Sequence, residues 1–479
     1  MATTDVVFVF IFLPVSLLTL AFRPNLQKYV LLLLSLFYYA CGSPKYFVLL
    51  LGMLVLNVGL AYIIGMMKEK GWEKRWSLLA LVAGIGLNTG VLFYYKYFDF
   101  VTVGINQVFG TTIGARELLL PMGISFFTFK AISLLIDVYR GTVILKKNPV
   151  YGALYLSFFG QIVSGPICRY HEFYEKTKGK SNKKAVWDMF SDGGYLFVKG
   201  FIKKVLFANI LSLIVVEIFA MDLEQTSAPL LWLGAISYSL QLYYDFSGYS
   251  DMAIGIGQMF GISCPKNFDY PYITKSISEF WRRWHITLGA WFRDYIYIPL
   301  GGSRVNSRAR LYFNLFVVWI LTGIWHGANW TFIFWGMGYF AAIAFEKTFG
   351  LPGKLTSKWS RAFYRIAALA FINFQWVIFN SVDLITGLRY IKHMLIGYGY
   401  ELANARTWIL LKEYGVVLAF AILFAVPIIP RLKEYIASKG ERKDRIAKAI
   451  MALVMVLLFI CALSFVIAGQ NNPFLYGNF

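Results

Sequence analysis

Charged residues are scarce in this sequence. They make up 15% of its 479 residues, whereas a soluble protein has roughly 25%. Hydrophobic residues account for 58%, and the mean hydropathy is +0.59. This composition excludes an ordinary soluble domain, and several apolar runs approach or exceed the roughly 20 residues that a helix needs to cross a membrane. We predict an all-α, multi-pass membrane protein with about 11–13 spans, including re-entrant and interfacial helices.

Ligand-like cysteine spacing and the common enzyme motifs are also lacking. The four cysteines, Cys41, Cys168, Cys264 and Cys461, include no CxxC pair, which argues against a zinc site or a disulfide framework. There is no GxxxxGK[ST], no strand-associated GxGxxG, no HExxH and no GxSxG, so nucleotide, zinc-protease and α/β-hydrolase chemistry lack their signatures. We predict neither a metal nor a bound cofactor.

Acidic residues are outnumbered, and the net charge is +21. The basic residues cluster in short loops: Lys68–Arg75, Lys146–Lys147, Arg169–Lys184, Arg304–Arg310 and Arg431–Lys448. This pattern is typical of cytoplasmic loops, and it predicts membrane lipid, not nucleic acid, as a partner. Only Asp5 precedes the first apolar run, whereas Arg23 and Lys28 follow it. We therefore predict an extracytoplasmic N-terminus.

No long polar linker divides the sequence, which predicts one integrated membrane domain over 1–479. Helix breakers accumulate in its middle: Pro121, Pro166, Pro265, Pro271, Pro299 and Gly301-Gly302. Broken helices are tolerated at membrane depth only beside protein or a water-filled cavity. We predict a core at 118–336 around a cavity, with peripheral helices at 1–100 and 360–479.

One histidine lies between two apolar stretches. It is His326, in Trp325-His326-Gly327-Ala328-Asn329-Trp330, and an intramembrane histidine suggests a functional site. Gly327 predicts that a helix ends at His326, and Asn329 is a suitable N-cap for the next helix. Such an imidazole suits a general base. A histidine hydrogen-bonded for packing is the alternative.

A second histidine, His285, lies in a segment that mixes aromatic and charged residues. Read as one interfacial helix, Ser278–Tyr297 places Trp281, Trp284, His285, Leu288 and Phe292 on one face, and it pairs Glu279 with Arg283. Arg282 and Arg283 suit donor phosphates or lipid headgroups. An amphipathic surface helix without catalysis shows the same pattern.

Two acids lie in an apolar surround. Asp245 and Asp251 belong to the segment Tyr243–Asp251, and acids at such positions face the protein interior and pair with something. They could orient a histidine, bind a cation or brace helices against Arg or Lys.

The sequence resembles the membrane-bound O-acyltransferase (MBOAT) family, in the branch of the alginate O-acetyltransferase membrane subunit and, more distantly, of teichoic-acid D-alanyl transfer. The motifs that carry the resemblance are Leu120–Phe129, Asp137–Gly141, Ser164–Ile167, Asp245–Gly255, Asn267–Tyr272, Glu279–Leu288, Trp291–Gly302, Thr322–Trp330 and the aromatic tail Pro473–Phe479. Gly160, where proline is expected, and Lys130, where glutamine is usual, depart from the pattern.

The resemblance implies a ring of helices around a central tunnel in the bacterial inner membrane. It implies His326 as the catalytic histidine and His285 as the second signature histidine. Trp325, Asn329, Arg282, Arg283, Asp245 and Asp251 are the candidates for binding the donor or lining the tunnel. The implied activity moves an acyl group, most simply acetyl, from acetyl-CoA or an acylated carrier protein to a glycan hydroxyl. An extracytoplasmic SGNH-type acyltransferase and other polysaccharide-modification proteins are the implied partners.

Three alternatives remain at this point. A carrier protein loaded with D-alanine could be the donor, with teichoic acid as the acceptor. A proton-coupled transporter could use the buried acids and histidines as a relay, although no repeat symmetry is visible. Two histidines could also bind haem, which an absorption spectrum would test.

Overall fold

The structure is a computed structural model, and it describes residues 2–21, 24–175, 183–397 and 405–469. The aromatic tail Pro473–Phe479 lies outside these residues. Within them every regular element is a helix, so the predicted all-α class is confirmed. The described residues form two compact units, one from the part of the chain up to 197 together with 249–266, and the other from 198–248 together with 267–469. The prediction of one integrated domain stays a prediction.

The α-helices follow one another along both units. They are α1 Leu13–Leu17, α2 Pro24–Gly42, α3 Phe47–Glu69, α4 Lys74–Lys96, α5 Phe98–Phe109, α6 Ile124–Arg140, α7 Val150–Ser157, α8 Tyr170–Glu175, α9 Lys183–Ile202, α10 Ile210–Phe219, α11 Ala228–Met259, α12 Ile277–Arg283, α13 Ile286–Phe292, α14 Arg308–His326, α15 Trp330–Phe349, α16 Lys358–Asn380, α17 Leu384–Ile396, α18 Ala405–Phe424, α19 Ile428–Ala437 and α20 Glu441–Ile467. Wider π-helical turns occur at Phe8–Phe12, Lys203–Asn209 and Arg293–Tyr297, and 3₁₀ turns at Leu18–Ala21, Pro44–Tyr46, Leu223–Gln225 and Pro271–Ile273.

The predicted helix breakers do interrupt helices. Residues 158–169 and 260–270 are non-helical, and they contain Pro166 and Pro265. Pro121 precedes α6, while Gly301 and Gly302 lie in the turn between Arg293–Tyr297 and α14. Proline lacks a backbone donor, and these glycines have positive φ, so both residue types disfavour a continuous helix here.

Five helices are long and apolar enough to cross a membrane by length and composition: Pro44–Glu69, Lys74–Lys96, Lys358–Asn380, Ala405–Phe424 and Glu441–Ile467. In the last of these, only 6% of the most apolar window is buried inside the protein. Large apolar side chains without protein neighbours on this scale require lipid. The chain is therefore a multi-pass membrane protein, and the larger count of about 11–13 spans stays a prediction.

In the first unit, α3 packs against α4 through a polar pair. Asn88 Nδ2 donates to Asn57 Oδ1 at 2.6 Å, and Asn57 Nδ2 donates back to Asn88 Oδ1 at 3.2 Å. Reciprocal amide bonds between helices hold them together where hydrophobic driving force is weak. On α6, Lys130 is buried, and its Nζ donates to the Tyr155 carbonyl and to Gln161 Oε1. The Lys130 amino group is thus held by two oxygen acceptors, whether it is neutral or charged.

In the second unit, α14 and α15 form an antiparallel pair joined by a short turn. A Cβ at Gly336 would lie 2.5 Å from the Trp319 carbonyl oxygen, and one at Gly323 would lie 2.6 Å from that of Phe332. Only glycine permits so close an approach of two helix backbones. This contact fixes the position of α15 along the axis of α14. It therefore also fixes where the aromatic side chains of α15 lie relative to the end of α14.

Candidate active site

His326 is the last residue of α14, as the sequence predicted. Gly327 continues in an extended conformation, and the Asn329 side chain accepts a hydrogen bond from Thr331 N at 3.1 Å as the N-cap of α15. Both the helix end and the cap are confirmed. Asn329 Nδ2 also donates to the Val382 carbonyl at 3.0 Å, so its polar atoms fix the turn that carries His326.

Four aromatic rings surround the His326 imidazole. The centroid distances are 4.9 Å to Trp325, 6.5 Å to Phe332, 4.8 Å to Trp335 and 5.2 Å to Phe379. We call these four residues the aromatic box. The imidazole is 2% exposed, and a site walled by rings keeps bulk water from the histidine and strengthens any polar interaction within it.

His285 lies at a break between two short helices, so the prediction of one continuous helix over Ser278–Tyr297 is wrong. The chain forms α12, then His285 with φ 43° and ψ 52°, then α13 and a π-helical turn. Two backbone bonds impose the break: Asp269 N donates to the Arg283 carbonyl, and Ile286 N to the Asn267 carbonyl, each at 2.9 Å. These bonds replace helical ones, so the five aromatic-face residues do not share one helix face.

The His285 side chain is fixed by Asn267. The Oδ1 of Asn267 accepts from Thr287 N at 3.2 Å and from Thr287 Oγ1 at 2.9 Å, and it lies 3.2 Å from His285 Nδ1. A backbone N–H can only donate, so this atom is the amide oxygen and Nδ1 of His285 carries the proton. Burial lowers the pKa of His285 to about 3. His285 is therefore neutral at physiological pH, with the lone pair on Nε2.

Trp325 brings the two histidines into one site. Its indole ring lies 6.1 Å from the His285 ring and 4.9 Å from the His326 ring, measured between centroids. The Phe246 ring also packs against His285, with centroids 4.6 Å apart. Three of the residues singled out in the sequence are thus assembled in the second unit: His285 from the break between α12 and α13, and Trp325 and His326 from the end of α14.

The two arginines of α12 have different surroundings. Arg283 forms ion pairs with Glu279 at 2.9 Å, as predicted, and with Asp269 at 3.1 Å. Its guanidinium also donates to the Asp269 carbonyl, so Arg283 fastens the segment before His285 to the loop beneath it. Arg282 is exposed, which leaves its guanidinium accessible from outside the protein.

The two acids of α11 belong to different units. Asp245 is buried in the second unit and forms an ion pair with Lys204 at 2.5 Å, while Lys204 Nζ also donates to Asn209 Oδ1 at 2.8 Å. Of the three roles that the sequence left open for Asp245, this pair favours bracing. Asp251 belongs to the first unit, whereas both histidines belong to the second.

Three residues of the site were not singled out from the sequence. Asn267 sets the His285 tautomer, and Trp335 faces His326. Glu346 is buried on α15 and accepts from Ile277 N at 2.6 Å and from Ser278 N at 2.8 Å, at the start of α12. A lone acid in an apolar helix was the available signal for Glu346, because such an acid needs a partner. Within the described residues, no three His, Cys, Asp or Glu side chains cluster as metal ligands.

Comparison with known proteins identifies the class. The sequence profile of the membrane-bound O-acyltransferase family matches residues 146–382, which include both histidines. A probable alginate O-acetylase of Pseudomonas putida is 34% identical over 496 residues, covering 99% of each chain. A peptidoglycan O-acetyltransferase of Helicobacter pylori is 35% identical over 433 residues, 83% of this chain and 80% of that protein. A teichoic acid D-alanyltransferase of Bacillus subtilis is 28% identical over 273 residues, 54% of this chain and 68% of that protein.

These similarities, with the helical membrane fold, define a membrane-bound acyltransferase. The chain belongs to the membrane-bound O-acyltransferase family. Within it, the chain is like the alginate and peptidoglycan O-acetylases over most of its length, and like the D-alanyltransferases over a shorter region.

Proposed function

We propose that the protein transfers an acetyl group from a cytoplasmic thioester to a hydroxyl on the extracytoplasmic side of the bacterial inner membrane. The final acceptor is a cell-envelope polysaccharide, reached directly or through an extracytoplasmic SGNH-type acyltransferase. The similarity to O-acetylases over nearly the whole chain supports acetyl as the group. The distribution of basic loops supports an extracytoplasmic N-terminus.

The observation that carries the proposal is that His285 and His326 both pack against the Trp325 ring. His326 acts as the general base: it takes the proton of the attacking hydroxyl, whose neutral oxygen is a weak nucleophile. The oxygen attacks the thioester carbonyl carbon, the C–S bond breaks, and the thiolate receives the proton back from His326. This route needs an opening of the aromatic box to both substrates.

The tautomer of His285 limits the role that this residue can have. With the proton on Nδ1, its Nε2 offers a lone pair, so it suits holding the hydrogen of a hydroxyl rather than stabilising an oxyanion. The tautomer thus favours positioning as the function of His285. The exposed Arg282 is the candidate for the phosphates of the donor, and anionic lipid headgroups are the alternative ligand.

The test uses membranes from cells that express the protein together with its native partners. With radiolabelled acetyl-CoA, we expect His326→Ala to reduce transfer to polysaccharide about 10²–10⁴-fold, the usual contribution of general base catalysis. His171→Ala is the matched control, because His171 is exposed and lies in the first unit. Folding is checked by size-exclusion chromatography. Full transfer by a folded His326→Ala protein would contradict the mechanism.

A second arm of the same experiment identifies the donor. Carrier protein loaded with acetyl or with D-alanine replaces acetyl-CoA. Transfer from acetyl-CoA or acetyl-carrier protein supports the proposal, whereas transfer from D-alanyl carrier protein alone would assign the protein to D-alanylation. Solute flux in proteoliposomes without any acyl donor would instead indicate a transporter.

A further inference from the structure

Trp335 has a buried polar group that the packing does not explain. The side chain is 0% exposed, and its Nε1 has no hydrogen-bond partner within the described residues. Buried donors are almost always paired, because an unsatisfied one costs about 1–3 kcal/mol. An orphan donor in a core therefore marks a place where an acceptor from outside the chain is expected.

The position of Trp335 indicates what that acceptor is. Its ring meets the His326 imidazole edge to face, with centroids 4.8 Å apart and planes at 82°. Its other close neighbours include the rings of Tyr339 at 5.1 Å and Phe379 at 5.4 Å. Trp281 Nε1 is likewise buried with no hydrogen-bond partner in the described part of the chain. Of these two indoles, it is Trp335 whose ring contacts His326, to which the reacting atoms must come.

The chemistry at His326 requires a donor of this kind. When the hydroxyl oxygen attacks the thioester, negative charge develops on the carbonyl oxygen, and a fixed N–H near that oxygen lowers the barrier. His285 does not supply the donor in its neutral form, because its Nδ1–H is directed to Asn267. An indole N–H in a ring-walled site is uncharged and keeps its position, which are the properties such a donor needs.

We propose that the indole N–H of Trp335 donates a hydrogen bond to the carbonyl oxygen of the acyl group, and that it stabilises the oxyanion of the transition state. The inference rests on the proposed function, because it takes His326 as the base. The indole proton is not transferred: the C–O bond forms, the C–S bond breaks, and the single mobile proton passes from hydroxyl to His326 to thiolate. The ligand class is a thioester or ester carbonyl.

The main test replaces Trp335 by benzothienylalanine, in which sulfur takes the place of the N–H while the shape is retained. We expect kcat for acetyl transfer in the membrane assay to fall about 10²-fold or more, as for loss of an oxyanion donor, with KM for acetyl-CoA little changed. The matched control is the same replacement at Trp319, a buried indole on α14 that packs beside Trp335. The control should retain its activity.

A spectroscopic readout separates hydrogen bonding from packing. With acetyl-CoA isotope-labelled at the carbonyl carbon, wild-type protein should shift the carbonyl stretch to lower frequency, and the Trp335 isostere should not. Unchanged kcat in the isostere, or an equal loss at Trp319, would overturn the inference. If His326→Ala is inactive while the Trp335 isostere is fully active, only the inference fails. If His326→Ala is active, the proposed mechanism itself fails.

Discussion

The two histidines of the site are held by opposite kinds of surroundings. The side chain of His285 is hydrogen-bonded to the Asn267 amide oxygen, which also accepts two hydrogen bonds from Thr287. His326 is enclosed by the four rings of the aromatic box. A directional hydrogen bond fixes one tautomer, whereas aromatic faces tolerate a cation. The difference suits a fixed positioning group and a base whose protonation changes during the reaction.

The largest expected effect comes from opening the aromatic box. Phe379→Ala removes a ring that is 3% exposed and packs on both His326 and Trp335. Such truncations cost about 3–5 kcal/mol when the cavity does not collapse. We expect the denaturation midpoint in detergent to fall and His326 to react faster with a histidine-specific reagent. Phe363→Ala, at a 76% exposed position, is the control, and equal stability of the two variants would refute the enclosure.

The next largest effect is expected from removing the polar contact of His285. Asn267→Leu leaves the donors of His285 and Thr287 without their acceptor, and we expect a loss of about 3 kcal/mol, since each orphaned buried donor costs about 1–3. Denaturation in detergent measures it. Activity should fall as well, because Nδ1 of His285 is no longer oriented. A fully active and equally stable Asn267→Leu protein would show that the tautomer does not matter.

The burial of His285 also predicts a pH dependence of stability. An unfolded histidine titrates near 6.5, whereas burial lowers the pKa of His285 to about 3. The unfolded chain therefore binds the proton first as the pH falls, so the stabilisation is present above pH 6.5 and is lost between there and about 3. We expect a loss of at most about 2 kcal/mol from pH 7 to pH 5. In His285→Gln, this part of the pH dependence should disappear.

The smallest effect is expected for Thr287→Val. It removes the hydroxyl that donates to Asn267 Oδ1 at 2.9 Å but keeps the backbone donor and the side-chain shape. A typical hydrogen bond contributes about 1 kcal/mol, and we expect that loss in detergent denaturation with activity largely retained. A loss as large as that of Asn267→Leu would mean that the hydroxyl, not the amide, holds His285.

The sequence predicted local features of the site better than distant ones. The end of α14 at His326 and the cap at Asn329 follow from the residues at the turn itself, and both are confirmed. The break at His285 was not predictable, because its cause is the backbone pairing of Asp269 with Arg283 and of Asn267 with Ile286, which joins two segments distant from each other in the sequence. Periodicity describes a helix but carries no signal for a bond to another segment.

Pairings between distant segments were likewise beyond the sequence. Bracing was one of three roles foreseen for Asp245, but Lys204 could not be named as its partner because their contact depends on tertiary packing. The same holds for Glu346, whose carboxylate binds the start of α12 from a different helix. The resemblance to a family supplied the pair His285 and His326, and the structure added how Trp325 joins them.

The near-complete exposure of α20 has a consequence for how its sequence can change. Only 6% of its most apolar window is buried. Substitutions among Leu, Ile, Val and Phe there exchange one lipid-facing apolar side chain for another, so we expect them to change stability little. Its length is another matter, since the bilayer thickness fixes how many apolar residues the segment must keep. The bilayer therefore constrains the length of this helix more than the identity of its apolar residues.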